Sequence, residues 1–391
     1  MKKLLIPIFS LAFLGNIYAQ DSTSANAGKF SFGGYFDTYY FSNLNNPLSR
    51  DNLGAAGNAR AFDQKSGQFQ IGLVQTKFNY VNKNSEVVVD LTFGPNGDLG
   101  NYGNLIGPLG GTTSLAIKQA YFNYKASEKL TFTAGQFGTH IGYELIDAPL
   151  NYNYSLSNLF NNGPFYHIGV KANYAFSDRV SLMAGVVNNV DNLYDNNRSK
   201  GFISQFMIVP VKDWNIYLNW IGSNEGNPKS DGKEANKSFY SLFDLTTTYQ
   251  VTKKFFLGIN AAMGSQKGAF QSDFDTTMTK SITWGGVALY SNYAFNKKYS
   301  LGLRLETFDN TSGARGLRNS LGEGTSVNSI TLTSNIKLAD GHLVLKPEVR
   351  LDAYKKLKGD INKESQQFED SNGKFTNSSQ TTIGMAAVYK F

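Results

Sequence analysis

Few residues in this chain have the types and spacing that enzyme or metal chemistry requires. None of the three histidines, His140, His167 and His342, stands in an HExxH, GxSxG or paired-histidine spacing. The chain has no cysteine, so disulfides, thiolate metal ligands and cysteine nucleophiles are excluded. The sequence therefore predicts a protein that is not an enzyme and that holds no metal or organic cofactor.

The charged residues follow a different regularity, the two-residue side-chain period of a β-strand. In YSLGLRLE, Arg304 and Glu306 share one face while the leucines share the other. In LVLKPEVRLD, four charged residues again oppose an apolar face, and SEVVVDLTF and DWNIYLNW alternate in the same way. Helical spacing fits none of these segments, which indicates an all-β chain whose strands have one polar and one apolar face.

Two kinds of connection alternate between these segments. A short polar turn, with an aromatic residue closing the strand before it, recurs five times, as in NYKASEKLTF and NYAFSDRVSL. Long polar stretches rich in glycine and asparagine separate the hairpins, at residues 42–65, 94–113, 138–164, 189–200, 223–237, 265–280, 309–324 and 355–377. Counting strands between these connections gives about sixteen, each near the roughly 10 residues that a tilted membrane-spanning strand needs.

The start of the chain predicts export. A basic start at residues 1–3, an apolar run at 4–14 and the small residue Ala19 are typical of a cleaved secretory signal peptide. The predicted division is a signal peptide at 1–19, a short periplasmic lead at 20–29 and a single barrel at 30–391. A net charge of +7 without a basic cluster gives no reason to expect a nucleic-acid partner.

The aromatic residues favour a membrane barrel over a secreted sheet protein. They make up 14% of the chain, and those that close the strands fall on the short-turn side, as in an interfacial girdle. We therefore expect a transmembrane antiparallel β-barrel of about 16 strands, with short periplasmic turns and long extracellular loops. The alternative is ordinary aromatic packing inside a secreted β-sandwich or solenoid.

The segment VYKF at residues 388–391 resembles the C-terminal signal of Gram-negative outer-membrane proteins, which end in Phe or Trp after alternating apolar residues. Tyr389 and Phe391 are therefore the candidate assembly signal, and the resemblance implies recognition by the barrel-insertion machinery. The segments FGGYFDTYY, IKQAYFNYK, LTFTAGQF and IGYELIDAPLNYNYSLS resemble the β-barrel porins of the OmpL-like group over nearly the whole mature chain. That resemblance implies a channel for small solutes in outer-membrane lipid.

In such a barrel the charged strand residues must face the interior, because a charge facing lipid costs kilocalories near the bilayer midplane. Both signs occur, so the sequence predicts no strong ion preference. Parity does not assign Lys118, since Ile117 and Ala120 fall on opposite parities and a bulge must lie between them. The predicted pore-lining residues are Asp37, Lys77, Glu86, Asp90, Lys171, Asp244, Arg304, Glu306, Lys346, Glu348, Arg350 and Asp352.

The connection at 138–164 has an apolar content that a loop exposed to solvent would not need. We expect it to fold into the lumen as a constriction, the alternatives being a fold over the rim or against a neighbouring subunit. Its acidic residues are expected to face basic residues of the wall, with Arg304, Arg350 and Lys171 as the first choices. The candidate constriction residues are Tyr143, Glu144, Asp147, Tyr152 and Tyr154.

These features together predict an outer-membrane porin of a Gram-negative bacterium, through which small hydrophilic solutes or ions diffuse passively. The alternative is a surface protein whose extracellular loops bind a partner, with the barrel as an anchor only. The sequence leaves the solute open, and also whether the protein is a monomer or a homotrimer.

Overall fold

The computed structural model describes residues 28–100, 116–195, 197–226, 238–267, 281–359 and 363–391. The predicted signal peptide and all but the last two residues of the predicted lead lie outside these ranges. The strands are β1 Lys29–Asn43, β2 Gln68–Val81, β3 Ser85–Phe93, β4 Ile117–Lys125, β5 Leu130–Gly138, β6 Tyr166–Ser177, β7 Val180–Val187, β8 Gly201–Ile208, β9 Trp214–Asn224, β10 Phe239–Gln250, β11 Phe255–Lys267, β12 Ser281–Ala294, β13 Tyr299–Asp309, β14 Ser326–Leu338, β15 Leu343–Tyr354 and β16 Ser379–Lys390.

Helical structure in the described ranges is short. Two α-helices occur, α1 Pro95–Leu99 and α2 Asn158–Asn162, together with single 3-10 turns at Ala148–Leu150 and Ala339–Gly341. Within the part of the chain that the structure describes, no helix is both long and apolar enough to cross a membrane.

The strands form one closed antiparallel barrel in which each strand pairs with its neighbours in sequence. The first and last strands close the ring, with a register that runs from Tyr35 opposite Lys390 to Asn43 opposite Thr382. Closure removes the free sheet edges that would otherwise expose unpaired backbone groups. The predicted sixteen-stranded antiparallel barrel is confirmed.

The two-residue period of the sequence becomes the inside and outside of this barrel. In β13, Leu305 is exposed on the outer face, while its neighbours Arg304 and Glu306 are buried on the inner face. In β16, Ile383 and Met385 are likewise exposed on the outside. The outer surface is therefore an apolar band and the interior is polar.

Short turns and long connections alternate around the barrel as the sequence predicts. The short-turn end carries the connections 82–84, 126–129, 178–179, 209–213, 251–254, 295–298 and 339–342. The recurrent turn pattern marks five of these, whereas the turns at 209–213 and 339–342 lack it. Aromatic residues gather at this end: the ring of Phe391 lies 5.9 Å from that of Phe32, and Tyr389 lies 6.0 Å from Phe36.

One irregularity of the barrel decides where a charged side chain points. The pairing of β3 with β4 shifts between Asp90, opposite Gln119, and Leu91, opposite Ile117, so Lys118 is the extra residue of a β-bulge. The amide of Gln136 on β5 donates to the backbone carbonyls of Ile117 and Lys118, at 2.7 and 3.2 Å. The bulge lies between Ile117 and Ala120, where the sequence predicts it.

Candidate functional site in the barrel interior

The connection between β5 and β6, residues 139–165, crosses the interior of the barrel, and we call it the inner loop. It leaves the wall at Gly138 and returns at Tyr166, yet its middle contacts β13, β15 and β1. Glu144 pairs with Arg304 of β13 at 2.5 Å, and the ring of Tyr154 lies 5.5 Å from that of Tyr39 on β1. The inner loop therefore lies within the lumen in this structure.

Local sequence explains how the inner loop keeps this path. Its apolar residues Ile141 and Leu159 are buried in the larger hydrophobic cluster, and Ala148 is buried in a second cluster with β1 and β16 residues. Ser157 caps α2 by accepting the backbone N–H of Phe160 at 3.0 Å. The apolar content that makes this loop unusual in sequence thus packs against the wall.

Charged wall residues bond to the backbone of the inner loop. Glu348 accepts the N–H groups of Tyr154 and Ser155 at 2.7 and 3.1 Å. Arg304 donates to the carbonyl of Ser155 at 2.6 Å, and Arg350 to that of Leu156 at 2.7 Å.

Two more charged residues of this wall also bond to the backbone of the inner loop. Glu306 accepts the N–H groups of Asn158 and Leu159 at 3.0 and 2.8 Å, and Lys346 donates to the carbonyl of Asn151 at 2.5 Å. These wall side chains are buried, so the backbone groups of the loop satisfy hydrogen-bonding positions on them that solvent does not reach.

The acidic residues of the inner loop have different partners, one expected and one not. Glu144 pairs with Arg304, as expected, and also accepts the N–H of Ser157 at 2.7 Å. Asp147 also faces a basic residue of the wall, as expected, but this residue is Lys118, at 2.5 Å, and none of the first choices Arg304, Arg350 and Lys171. Parity did not assign Lys118 to the lumen, because the bulge in β4 turns its side chain inward.

The two basic residues that Asp147 does not contact are engaged elsewhere. Arg350 donates to Asp352 at 2.9 Å, and the ammonium of Lys171 lies 4.2 Å from the ring centre of Phe137. A cation over an aromatic face gains electrostatic attraction without a counter-charge.

The tyrosines of the inner loop pack against aromatic residues of the barrel wall. Tyr143 lies 4.2 Å from Tyr290 between ring centres, and Tyr152 lies 5.1 Å from Phe256. Since Tyr154 packs against Tyr39 of β1, all five predicted constriction residues contact the wall.

All twelve predicted pore-lining residues lie on the inner face of their strands, and all except Lys77, Glu86 and Lys171 are buried. Asp244 accepts the N–H of Gly142 in the inner loop at 3.1 Å, and Asp352 accepts from Arg60 in the connection between β1 and β2 at 2.8 Å, whereas Asp37 bonds to Leu73 of the neighbouring strand β2. Loops therefore cover most of these charges, and their role in lining a pore stays a prediction.

A second connection reaches the same interior and was not singled out in the sequence. Arg60, in the connection between β1 and β2, donates to Asp352 at 2.8 Å and to Thr382 at 3.0 Å, and it pairs with Asp63. Nearby, Phe62 lies 5.9 Å from Phe160 of the inner loop. Strand parity does not extend into a loop, so the sequence has no periodic signal for Arg60.

Metal binding has no support in the described ranges, where no group of three or more histidine or acidic side chains is arranged to hold an ion. The arrangement consists instead of a wide barrel, an internal loop and a wall of alternating charges. Such an arrangement can admit, orient and select dissolved solutes.

Solved structures of similar fold are outer-membrane proteins. An anion-selective porin from Comamonas acidovorans superposes with a TM-score of 0.56 at 10% identity, covering 93% of this chain and 100% of that one. The trimer form of OmpT from Vibrio cholerae gives 0.54 at 13% identity, covering 94% and 100%. The outer-membrane channel DcaP of Acinetobacter baumannii gives 0.54 at 11% identity, covering 93% and 98%.

Comparison with curated proteins finds no significant match. Family comparison matches residues 29–391, which include the whole barrel, to the family described as "Putative beta-barrel porin-2, OmpL-like". The match spans the inner loop and the charged wall as well as the strands. The chain therefore belongs to the OmpL-like family of outer-membrane β-barrel porins.

Proposed function

We propose that this outer-membrane porin passes small hydrophilic solutes or ions by passive diffusion along a passage that the inner loop narrows. The observation that carries this proposal is the position of the inner loop across a barrel of sixteen strands. A barrel of this size is too wide for its own wall side chains to fill, so a loop within it sets the narrowest point. Membership of a porin family supports a channel rather than an enzyme.

The acidic residues of the inner loop should set the ion preference of the passage. Replacing Glu144 and Asp147 by Gln and Asn removes the carboxylate partner of Arg304 and one of the two carboxylate partners of Lys118, and so makes the barrel interior more positive by two charges. We expect the reversal potential under a salt gradient to shift toward anions, because a field inside a low-dielectric constriction selects ions by charge. Planar-bilayer recordings measure that shift.

A matched control removes two acidic residues outside the barrel interior, by Glu128→Gln with Glu364→Gln. Both side chains are exposed, Glu128 in a short turn and Glu364 in a long loop. Their loss should leave the reversal potential near that of the parent. An equal shift in both double variants would show that net charge, and not the inner loop, determines the preference.

Deleting residues 151–161 should raise the single-channel conductance, since this part of the inner loop occupies the lumen beside β13–β15. Conductance equal to that of the parent, together with an unchanged reversal potential in the Glu144 and Asp147 variant, would mean that the inner loop is not the constriction.

Export and assembly complete the proposal. A signal peptide cleaved after Ala19, insertion by the barrel-assembly machinery and surrounding outer-membrane lipid fit the family to which the chain belongs. A homotrimer is supported by analogy, because one structure of similar fold is described as a trimer form. Chemical cross-linking of the purified protein in detergent, followed by electrophoresis, measures the number of subunits.

A further inference from the structure

The inner face of β13–β15 carries charges in rows that alternate in sign along the barrel axis. From the short-turn end, the rows hold Lys346, then Glu348, then Arg304 with Arg350, then Glu306 with Asp352. We call the five residues that bond to the backbone of the inner loop, namely Lys346, Glu348, Arg304, Arg350 and Glu306, the charge ladder. Register supports the rows, because Arg304 and Arg350 both stand opposite Thr331. Successive rows are two residues apart along a strand, which is about 7 Å.

The inner loop lies along the charge ladder in matching order. Lys346 donates a hydrogen bond to the carbonyl of residue 151, and Glu348 accepts hydrogen bonds from the N–H groups of residues 154 and 155. Arg304 and Arg350 donate to the carbonyls of residues 155 and 156. Glu306 then accepts from the N–H groups of residues 158 and 159. Each cationic row thus donates hydrogen bonds to backbone carbonyls, and each anionic row accepts hydrogen bonds from backbone N–H groups.

This matching is made by the backbone of the loop, with one side-chain contribution from the amide of Asn158, which also donates to Glu306 at 2.9 Å. In the same stretch the hydroxyl of Ser155 is buried without a hydrogen-bond partner, although both backbone groups of that residue bond to the ladder. A loop that only needed an anchor could be held by apolar packing, which avoids the cost of burying charges. The ladder is instead complementary to a peptide backbone that follows the same path, which bends at residues 152–155 and enters α2 at Asn158.

We infer that the charge ladder is a binding site for short zwitterionic peptides that follow the path of residues 151–159, and that these residues occupy it as an internal competitor. Peptides present N–H and C=O groups of both polarities along one edge, and their charged termini add one group for each kind of row. A neutral sugar of the same size has hydroxyl groups that each donate and accept, so it has neither the fixed order of donors and acceptors nor the charged ends of a peptide. The inference rests on the proposed function, because a peptide reaches the wall only through an aqueous lumen.

Calorimetric titration of the full-length protein in detergent with tetraalanine tests the site without requiring conduction. The trisaccharide raffinose serves as the size control. We expect saturable binding of tetraalanine and none of raffinose. Equal binding of both compounds, or of neither by the parent and every variant, overturns the inference.

One variant weakens the internal competitor and leaves the ladder intact. Asn158→Pro removes the N–H and the side-chain amide that both bond to Glu306. Proline suits the first position of α2, and the preceding Ser157 already has an extended backbone with φ −69 and ψ 161. Tetraalanine should then bind about tenfold more tightly, since hydrogen bonds to charged groups are the stronger class. Asn158→Ala keeps the backbone N–H and should show a smaller gain.

Two further variants separate the ladder from the loop. Glu306→Gln with Glu348→Gln removes both anionic members of the charge ladder and should weaken tetraalanine binding at least tenfold. Asp244→Asn loosens the inner loop at Gly142 from β10 and should bind tetraalanine no more weakly than the parent. Undiminished binding in the ladder variant overturns the site.

Conductance recordings on the same samples keep the two proposals apart. Protein that conducts ions but never binds tetraalanine refutes the peptide site alone. Protein that binds tetraalanine in detergent but forms no channel refutes the proposed function alone.

Discussion

At the scale of single residues, Asp191 couples the inner loop to pH. It lies in the connection between β7 and β8, where its carboxylate accepts the N–H groups of Phe165 and Tyr166 at 2.6 and 3.1 Å. Burial raises the pKa of Asp191 to about 7, and the two N–H groups only partly oppose that rise. Because the pKa in the folded protein is above the ordinary value of about 3.9, folding favours the protonated carboxyl.

The stability that Asp191 contributes is therefore complete below about pH 4 and is lost as the pH rises through 7. Asp191→Asn should flatten this loss, which the parent shows between about pH 4 and 7, since each unit of pKa shift corresponds to about 1.4 kcal/mol. Asparagine can keep the acceptor oxygen, and it tolerates the left-handed backbone at this position, where φ is 55. The temperature at which the folded band converts to the unfolded band on gels measures the effect.

Asp370 provides the control for this experiment. It is exposed in the connection between β15 and β16, and the backbone N–H groups of Lys374 and Asn372 lower its pKa. Since it is ionised throughout the range from pH 5 to 9, Asp370→Asn should leave the slope of stability against pH unchanged. A slope in Asp191→Asn equal to that of the parent would contradict the assignment.

At the scale of elements, the bulge in β4 depends on one outward amide. Gln136 stands opposite Ala120 and Ile168, so it faces the lipid side, and it satisfies the carbonyls that the bulge frees at Ile117 and Lys118. Gln136→Leu should lower the free energy of unfolding by about 1–3 kcal/mol, because those carbonyls lose their donor where no water can replace it.

The measurement is the urea concentration that unfolds the barrel in lipid vesicles, followed by tryptophan fluorescence. Ala134→Leu, on the same strand and face, adds similar apolar volume away from the bulge and should have little effect. If Gln136→Leu is as stable as Ala134→Leu, the bulge does not need the amide.

At the scale of the whole molecule, the barrel closes where its two terminal strands meet. The backbone N–H and C=O of Phe391 both bond to Gly34 at 3.1 Å, and its ring packs near Phe32. Burial of such a ring contributes about 2 kcal/mol to the free energy of unfolding, which is too little to explain a large assembly defect through stability alone. We predict that Phe391→Ala sharply lowers the amount of protein in the outer membrane, while channels that do insert conduct normally.

Phe32→Ala distinguishes recognition of the C-terminal residue from packing at the seam. It removes the same ring contact from the other side and leaves residues 388–391 unchanged. Quantitative immunoblots of outer-membrane fractions should show near-normal levels for Phe32→Ala. An equal fall in both variants would mean that the terminal ring acts through stability.

The sequence by itself determined what local chemistry controls. The two-residue period in segments such as YSLGLRLE and the recurrent polar turns are properties of neighbouring residues, so they predicted the strands, their faces and the closed barrel. Opposite parities at Ile117 and Ala120 predicted the bulge for the same reason. The resemblance to OmpL-like porins is confirmed by the family match.

Only the tertiary structure decided which charges meet and which are covered. Glu144 and Arg304 are 160 residues apart in sequence, and Arg60 and Asp352 are 292 apart. Residue type and parity give a side chain its face but not its distance from a loop that crosses the lumen. The pairing of Asp147 with Lys118 needed both the bulge that turns the lysine inward and the path of the inner loop that brings the carboxylate to it. These contacts depend on three-dimensional packing, which no spacing along the chain records.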